Sequence, residues 1–171
     1  MNANIQKLMN ISSIFRMLVL IGAAIVIAYL IYAYVAYGDM RFSGDALYMQ
    51  LWQDSSVSRI LLLAFKLPSF LMFIIGVYWL QRLLSYYQNG LFFGPQAMRC
   101  YLWLVWIKLF DLIIDIVETL AVGYYYRNLH GSAHIEVSID FGNITTILLM
   151  LVIVYLLKAA KEIDAENKEF V

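Results

Sequence analysis

Residues 17–37 read MLVLIGAAIVIAYLIYAYVAY, 21 positions without a charge or a proline. Wound as a helix at about 1.5 Å per residue, this run is about 31 Å long, which matches the roughly 30 Å hydrocarbon core of a bilayer. A secretory signal carries a shorter apolar region, about 7–15 residues, that ends at a small-residue cleavage site. This run is longer and ends in Tyr34-Val35-Ala36-Tyr37, so a retained membrane helix is expected.

The rest of the chain agrees with that solvent. Of its 171 residues 63% are hydrophobic and 14% charged, against about 45–50% and about 25% in soluble domains. Twelve basic and twelve acidic side chains cancel, so there is no basic excess to draw in nucleic acid, and direct nucleic-acid binding is not expected. Cys100 is the single cysteine, which rules out an internal disulfide and reads as a packing residue.

Three further hydrophobic segments follow, at about 60–81, 101–126 and 141–158. The second contains Lys66 and Pro68, and Asp54-Ser55 stand where side chains cap a helix start. Proline removes a backbone hydrogen bond, so a kink is expected at Pro68. Helical pattern continues past Leu80 to Asn89-Gly90, a C-terminal stop, and Gly94-Pro95 reads as a restart with proline in the first turn. The expected fold is therefore all-α: a single membrane domain over 1–171, a four-helix bundle whose second, third and fourth helices extend into the cytoplasm.

Basic residues beside the segments give the orientation. Lys7, Arg16, Arg82, Arg99, Lys158, Lys161 and Lys168 fall on one side, whereas Arg41, Arg59 and Arg127 fall on the other, among Asp39, Asp45, Asp54, Glu136 and Asp140. Both termini are expected in the cytoplasm. Tyrosines at segment ends, such as Tyr34, Tyr37, Tyr86, Tyr87 and Tyr124 to Tyr126, suit interfacial aromatic belts.

The third segment holds the most informative pattern. Lys108, Asp111, Asp115 and Glu118 are spaced three, four and three apart, which at about 100° per residue gathers them within an arc of about 80°. Each charge near the centre of a membrane helix costs about 2.5–3.5 kcal/mol on insertion scales, so the stripe should face protein or trapped water. Depth puts Lys66 nearest Glu118 or Asp115, and an interhelical pair is expected there. Three acids against two lysines leave one carboxylate over, to be protonated or to hold a cation. The stripe is then either polar glue fixing helix register or an ion or proton path.

Other signals are weaker. His130 and His134 stand four apart but are separated by Gly131-Ser132 and lack a third ligand, so an exposed loop is expected and no metal. Asn143-Ile144-Thr145 fits a glycosylation acceptor at the mouth of a membrane helix, a poor context for one. No phosphate loop, Ser/His/Asp arrangement or HExxH motif is present. Neither an enzyme nor a cofactor is expected.

Two stretches carry a resemblance. GLFFGPQAMRCYLWL at 90–104 is similar to the element that joins the second and third helices in a bacterial membrane family catalogued as domain of unknown function 2975. AAKEIDAENKEFV at 159–171 resembles that family's acidic end, which finishes in valine or isoleucine. Gly90, Phe93, Arg99, Glu162, Glu166 and Val171 are the matching positions, while Gly94-Pro95-Gln96 stand where the family has serine and asparagine.

The resemblance implies four helices, a bacterial inner-membrane location and, because members are often encoded beside a small helix-turn-helix regulator, a membrane partner for a transcription factor. Together with Arg82, the matching positions are candidate contacts for a cytosolic or membrane protein, and a homo-oligomer is a further possibility. The competing expectation is a small ion- or proton-coupled transporter or channel subunit that uses Lys66, Lys108, Asp111, Asp115 and Glu118.

Overall fold

A computed structural model describes residues 3–38, 46–92, 94–131 and 141–169. It contains five helices: α1 (Ala3–Tyr37), α2 (Ala46–Gln53), α3 (Arg59–Gln88), α4 (Pro95–His130) and α5 (Phe141–Glu169). Among the described residues there is no strand. Beyond the four expected membrane helices, there is one more helix among the described residues. The addition is α2, eight residues with too few turns to register as an apolar run. The four hydrophobic segments lie inside longer helices, and α1 begins at Ala3, well before its apolar run.

Three helices are long and apolar enough to cross a membrane, over Gln6–Ala36, Arg59–Gln88 and Phe141–Ala159. Their surfaces invert the soluble pattern: Ile25, Ile31 and Val35 of α1 and Leu148, Val152 and Tyr155 of α5 are exposed, as suits a lipid-facing surface. The 36-residue α4 is not in that set, because its charges interrupt every apolar window.

The chain divides into two compact units. One, the middle unit, comprises 21–74 and 110–139; the other, the terminal unit, comprises 1–20, 75–109 and 140–171.

The core of the middle unit is Tyr48, Leu51, Trp52, Val57, Leu62 and Val122. Half of it comes from α2, whose buried residues at 48, 51 and 52 share one face. A helix this short is unstable alone, and it is held by two directional contacts. The Tyr48 hydroxyl donates to the Leu62 carbonyl at 3.0 Å, and Trp52 Nε1 donates to the Gly38 carbonyl at 2.6 Å. Between α2 and α3, the Asp54 side chain accepts from the Ser56 amide and hydroxyl rather than capping α3. The Leu61 and Leu62 amides in the first turn of α3 donate to the Ser58 carbonyl. Helix α3 continues through Pro68.

In the terminal unit Leu83, Ala97 and Cys100 are buried, with Trp79, Tyr86, Tyr87, Tyr101 and Leu104 around them. Trp79 and Trp103 stack at 5.4 Å. Helix α3 ends at Gln88, and the chain leaves it through Gly90 with φ 77°. The Leu91 amide returns to the Tyr86 carbonyl and the Gly90 amide to the Tyr87 carbonyl, both at 3.0 Å, which is the Schellman arrangement. Gly94 then accepts from the Met98 amide as α4 starts at Pro95.

Space does not forbid a side chain at Gly90, since an added Cβ meets only Met9 Sδ at 3.7 Å. Its backbone conformation does. Gly90→Ala is expected to lower stability by about 1–2 kcal/mol, read as a fall in melting temperature of the detergent-purified protein. An unchanged melting temperature would mean that the turn relaxes out of the left-handed region.

Candidate functional site

Within the middle unit, Lys66 of α3 pairs with Glu118 of α4 through Nζ and Oε1. The other carboxylate oxygen, Oε2, accepts from the Ser69 hydroxyl at 3.0 Å. Lys66 and Ser69 are one turn apart, so a single face of α3 supplies both donors. The Glu118 side chain is 6% exposed and that of Lys66 20%. Lys66 also lies 5.2 Å from the centre of the Tyr48 ring, where the ring's negative face attracts the ammonium. Tyr48 in turn stacks on Trp52 at 6.2 Å. Burial, and after it the negative charge of Glu118, push the Tyr48 phenol well above its ordinary range.

The other members of the stripe are placed differently. Lys108 and Asp111 are half-buried and both engaged. Asp115 is exposed, and its carboxylate meets no partner among the described residues. Only its backbone carbonyl is used, by the Thr119 hydroxyl at 2.9 Å. Of the two acids that depth offered to Lys66, the structure brings it Glu118.

At the end of the same unit, His130 Nε2 lies 3.3 Å from Asp54 Oδ2 and its ring stacks on Tyr126 at 4.4 Å. Hydrogen bonds from Ser56, with His130 adding to them, hold the Asp54 carboxyl below its usual range. His130 thus faces a carboxylate, while His134 lies outside the described residues. Among the described residues no group of three or more His, Cys, Asp or Glu forms a metal site.

The candidate partner contacts belong to the terminal unit. Arg99 and Glu162 are exposed. Arg82 is exposed but turned along its own helix, its Nη1 donating to the Tyr78 hydroxyl at 3.2 Å and its Nε to that of Tyr86 at 3.4 Å. Gly90 is the C-terminal cap of α3. Glu166 lies within α5, with its side chain outside the described set; Phe93 and Val171 lie outside the described residues. Sequence reasoning missed Ser69 and Tyr48. The apolar residues at 47, 48, 51 and 52 in ALYMQLWQ were the available signal for Tyr48, whereas nothing local marks a lone serine as the second donor to a carboxylate on another helix.

A family model matches residues 17–171 and is described as protein of unknown function (DUF2975). The chain belongs to that family. No curated protein and no solved structure matches it. For this family member the match runs through both the Lys66–Glu118 pair and the 90–104 connection.

Removing one partner of a buried pair strands the other's charge, which costs about 3–5 kcal/mol. Lys66→Met is therefore expected to destabilise the protein by about that much, while Lys66→Met combined with Glu118→Leu recovers most of the loss. Chemical denaturation in mild detergent, run as a double-mutant cycle, reads both. Additive effects of the two single changes would show that the pair contributes nothing.

Proposed function

We propose that this is a multi-pass protein of the bacterial cytoplasmic membrane that crosses four times, keeps both ends in the cytoplasm, is not an enzyme and acts by binding another protein. A regulator of transcription held at the membrane is the partner that the family resemblance favours. Helix α4 supplies the fourth crossing in this reading. Its 36 residues amount to about 54 Å of helix. Its exposed Trp103, Trp106, Phe110, Ile113, Val117, Leu120 and Tyr124 recur at intervals of three and four, a lipid-facing stripe opposite Lys108 and Glu118.

The observation that carries the interaction reading is the closure of Glu118. Both of its oxygens are taken, by Lys66 and by Ser69. A carboxylate held through both oxygens, with its side chain 6% exposed, serves to fix helix register. Function is then sought on the exposed cytoplasmic elements, with Arg99 and Glu162 at the surface and Glu166 and Val171 further along the tail.

Affinity purification of the tagged protein from native membranes in mild detergent, with and without residues 159–171, tests this. A stoichiometric protein partner that is lost with the tail is the expected result. An identical set of proteins from both forms would remove the tail from the reading, and recovery of a homo-oligomer alone would count against it.

A second reading, a small ion- or proton-coupled transporter or channel subunit, draws on Asp115, whose exposed carboxylate meets no partner among the described residues. It expects Asp115→Asn to abolish ion or proton flux in reconstituted vesicles with the melting temperature retained. Flux that is absent from the wild-type protein ends this reading.

A further inference from the structure

Arg16 of α1 and Arg82 of α3 stand at corresponding points of their helices. Arg16 immediately precedes the apolar run that opens at Met17, and Arg82 immediately follows the segment that closes at Gln81. Where α1 and α3 cross a bilayer, both guanidinium groups therefore lie at the boundary between hydrocarbon and headgroups. The two helices are tied in register at that level, because Gln81 Nε2 donates to the Arg16 carbonyl at 2.8 Å and Arg16 Nε donates back to Gln81 Oε1 at 3.3 Å.

Neither arginine is neutralised. Arg16 Nη1 has Gln88 Oε1 at 3.2 Å, and Arg82 has the Tyr78 and Tyr86 hydroxyls and the Trp79 ring at 5.7 Å. All of these partners are uncharged, and among the described residues neither guanidinium has a carboxylate. A guanidinium carries five N–H donors. Two are used on each arginine, which leaves three on each to bind something else.

Between them is space for it. Arg16, Tyr78, Gln81, Arg82 and Ser85 line an open groove of about 320 Å³. Two fixed like charges with free donors, beside a serine and a tyrosine hydroxyl, need an anion of several acceptor oxygens. Planar guanidinium donors match the oxygens of a phosphate group in paired fashion. Exposed Met17 and Leu18 follow Arg16 in sequence and exposed Ile75 lies one turn before Tyr78, so a bound phosphate that carried acyl chains would have apolar side chains nearby.

We propose that Arg16 and Arg82 form a binding site for a phosphate group at the membrane boundary, the headgroup of an anionic phospholipid being the source that this position favours. The site rests on α1 and α3 crossing the bilayer, and is independent of any protein partner.

The test uses the full-length protein in mild detergent, titrated separately with short-chain phosphatidylglycerol, short-chain phosphatidylcholine and inorganic phosphate. Intrinsic tryptophan fluorescence and native mass spectrometry report binding. Saturable binding of phosphatidylglycerol is expected, weakened about tenfold by each of Arg16→Gln and Arg82→Gln, with phosphatidylcholine weaker. Inorganic phosphate that competes with the same dependence on the two arginines would support the phosphate site and assign it a soluble source.

Lysine variants Arg16→Lys and Arg82→Lys keep the charge and should retain part of the affinity, which guards against loss through misfolding. Arg99→Gln, at a surface arginine outside the groove, should bind as the wild type does. Equal weakening by Arg99→Gln would reduce the effect to diffuse attraction and overturn the site, as would glutamine variants that bind every ligand unchanged.

Discussion

Lys66 and Glu118 face each other inside helices of hydrocarbon length, and the arrangement of the middle unit follows from their need to do so. A buried charge of either sign is costly when left alone. Once they are opposed, the rotation of α3 and of that part of α4 about their axes is set, because the lysine has to meet the carboxylate and Ser69, one turn on, has to reach its second oxygen. The short helix α2 closes the arrangement. Tyr48 presents its ring to Lys66 and its hydroxyl to the Leu62 carbonyl, one turn before the lysine, so the most buried aromatic residue of the unit serves the ion pair and the packing together.

The terminal unit handles charge in another way. Arg16 and Arg82 are exposed, and they are positioned by amide and phenol groups in place of acids. Neutral partners fix where a guanidinium sits without cancelling its charge. An exposed arginine keeps its water, so it escapes the desolvation penalty that the largely buried Lys66–Glu118 pair meets. Basic side chains in the two units therefore do two jobs: Lys66, paired with Glu118, holds helices together, whereas Arg16 and Arg82 keep charges that no carboxylate meets among the described residues.

For a family whose function is open, the division has a practical meaning. The features most eye-catching in the primary structure, the charges of α4, are in part consumed in holding the fold, and Glu118 is the clearest instance. Other charges stay at the surface: Arg99 and Glu162, Arg16 and Arg82 beside their groove, and Asp115, whose carboxylate meets no partner among the described residues.

The amino-acid sequence by itself determined the solvent, the apolar segments and their helical nature, because a run of about 20 apolar residues has few other stable states in a bilayer. It also marked the helix ends at Gly90 and Pro95, where local conformation alone decides, and it brought the four charges of α4 onto one side, since that follows from helical periodicity. Three things were left to tertiary structure. The helix α2 forms only because Tyr48, Leu51 and Trp52 find a core to dock into. Lys66 selects Glu118 over Asp115 through side-chain reach and the presence of Ser69, neither of which spacing along one helix can encode. Arg16 and Arg82, far apart in the chain, share a groove because Gln81 and Gln88 tie α1 to α3. Contacts between helices depend on how each is turned about its axis, and side chains from both helices decide that turn together.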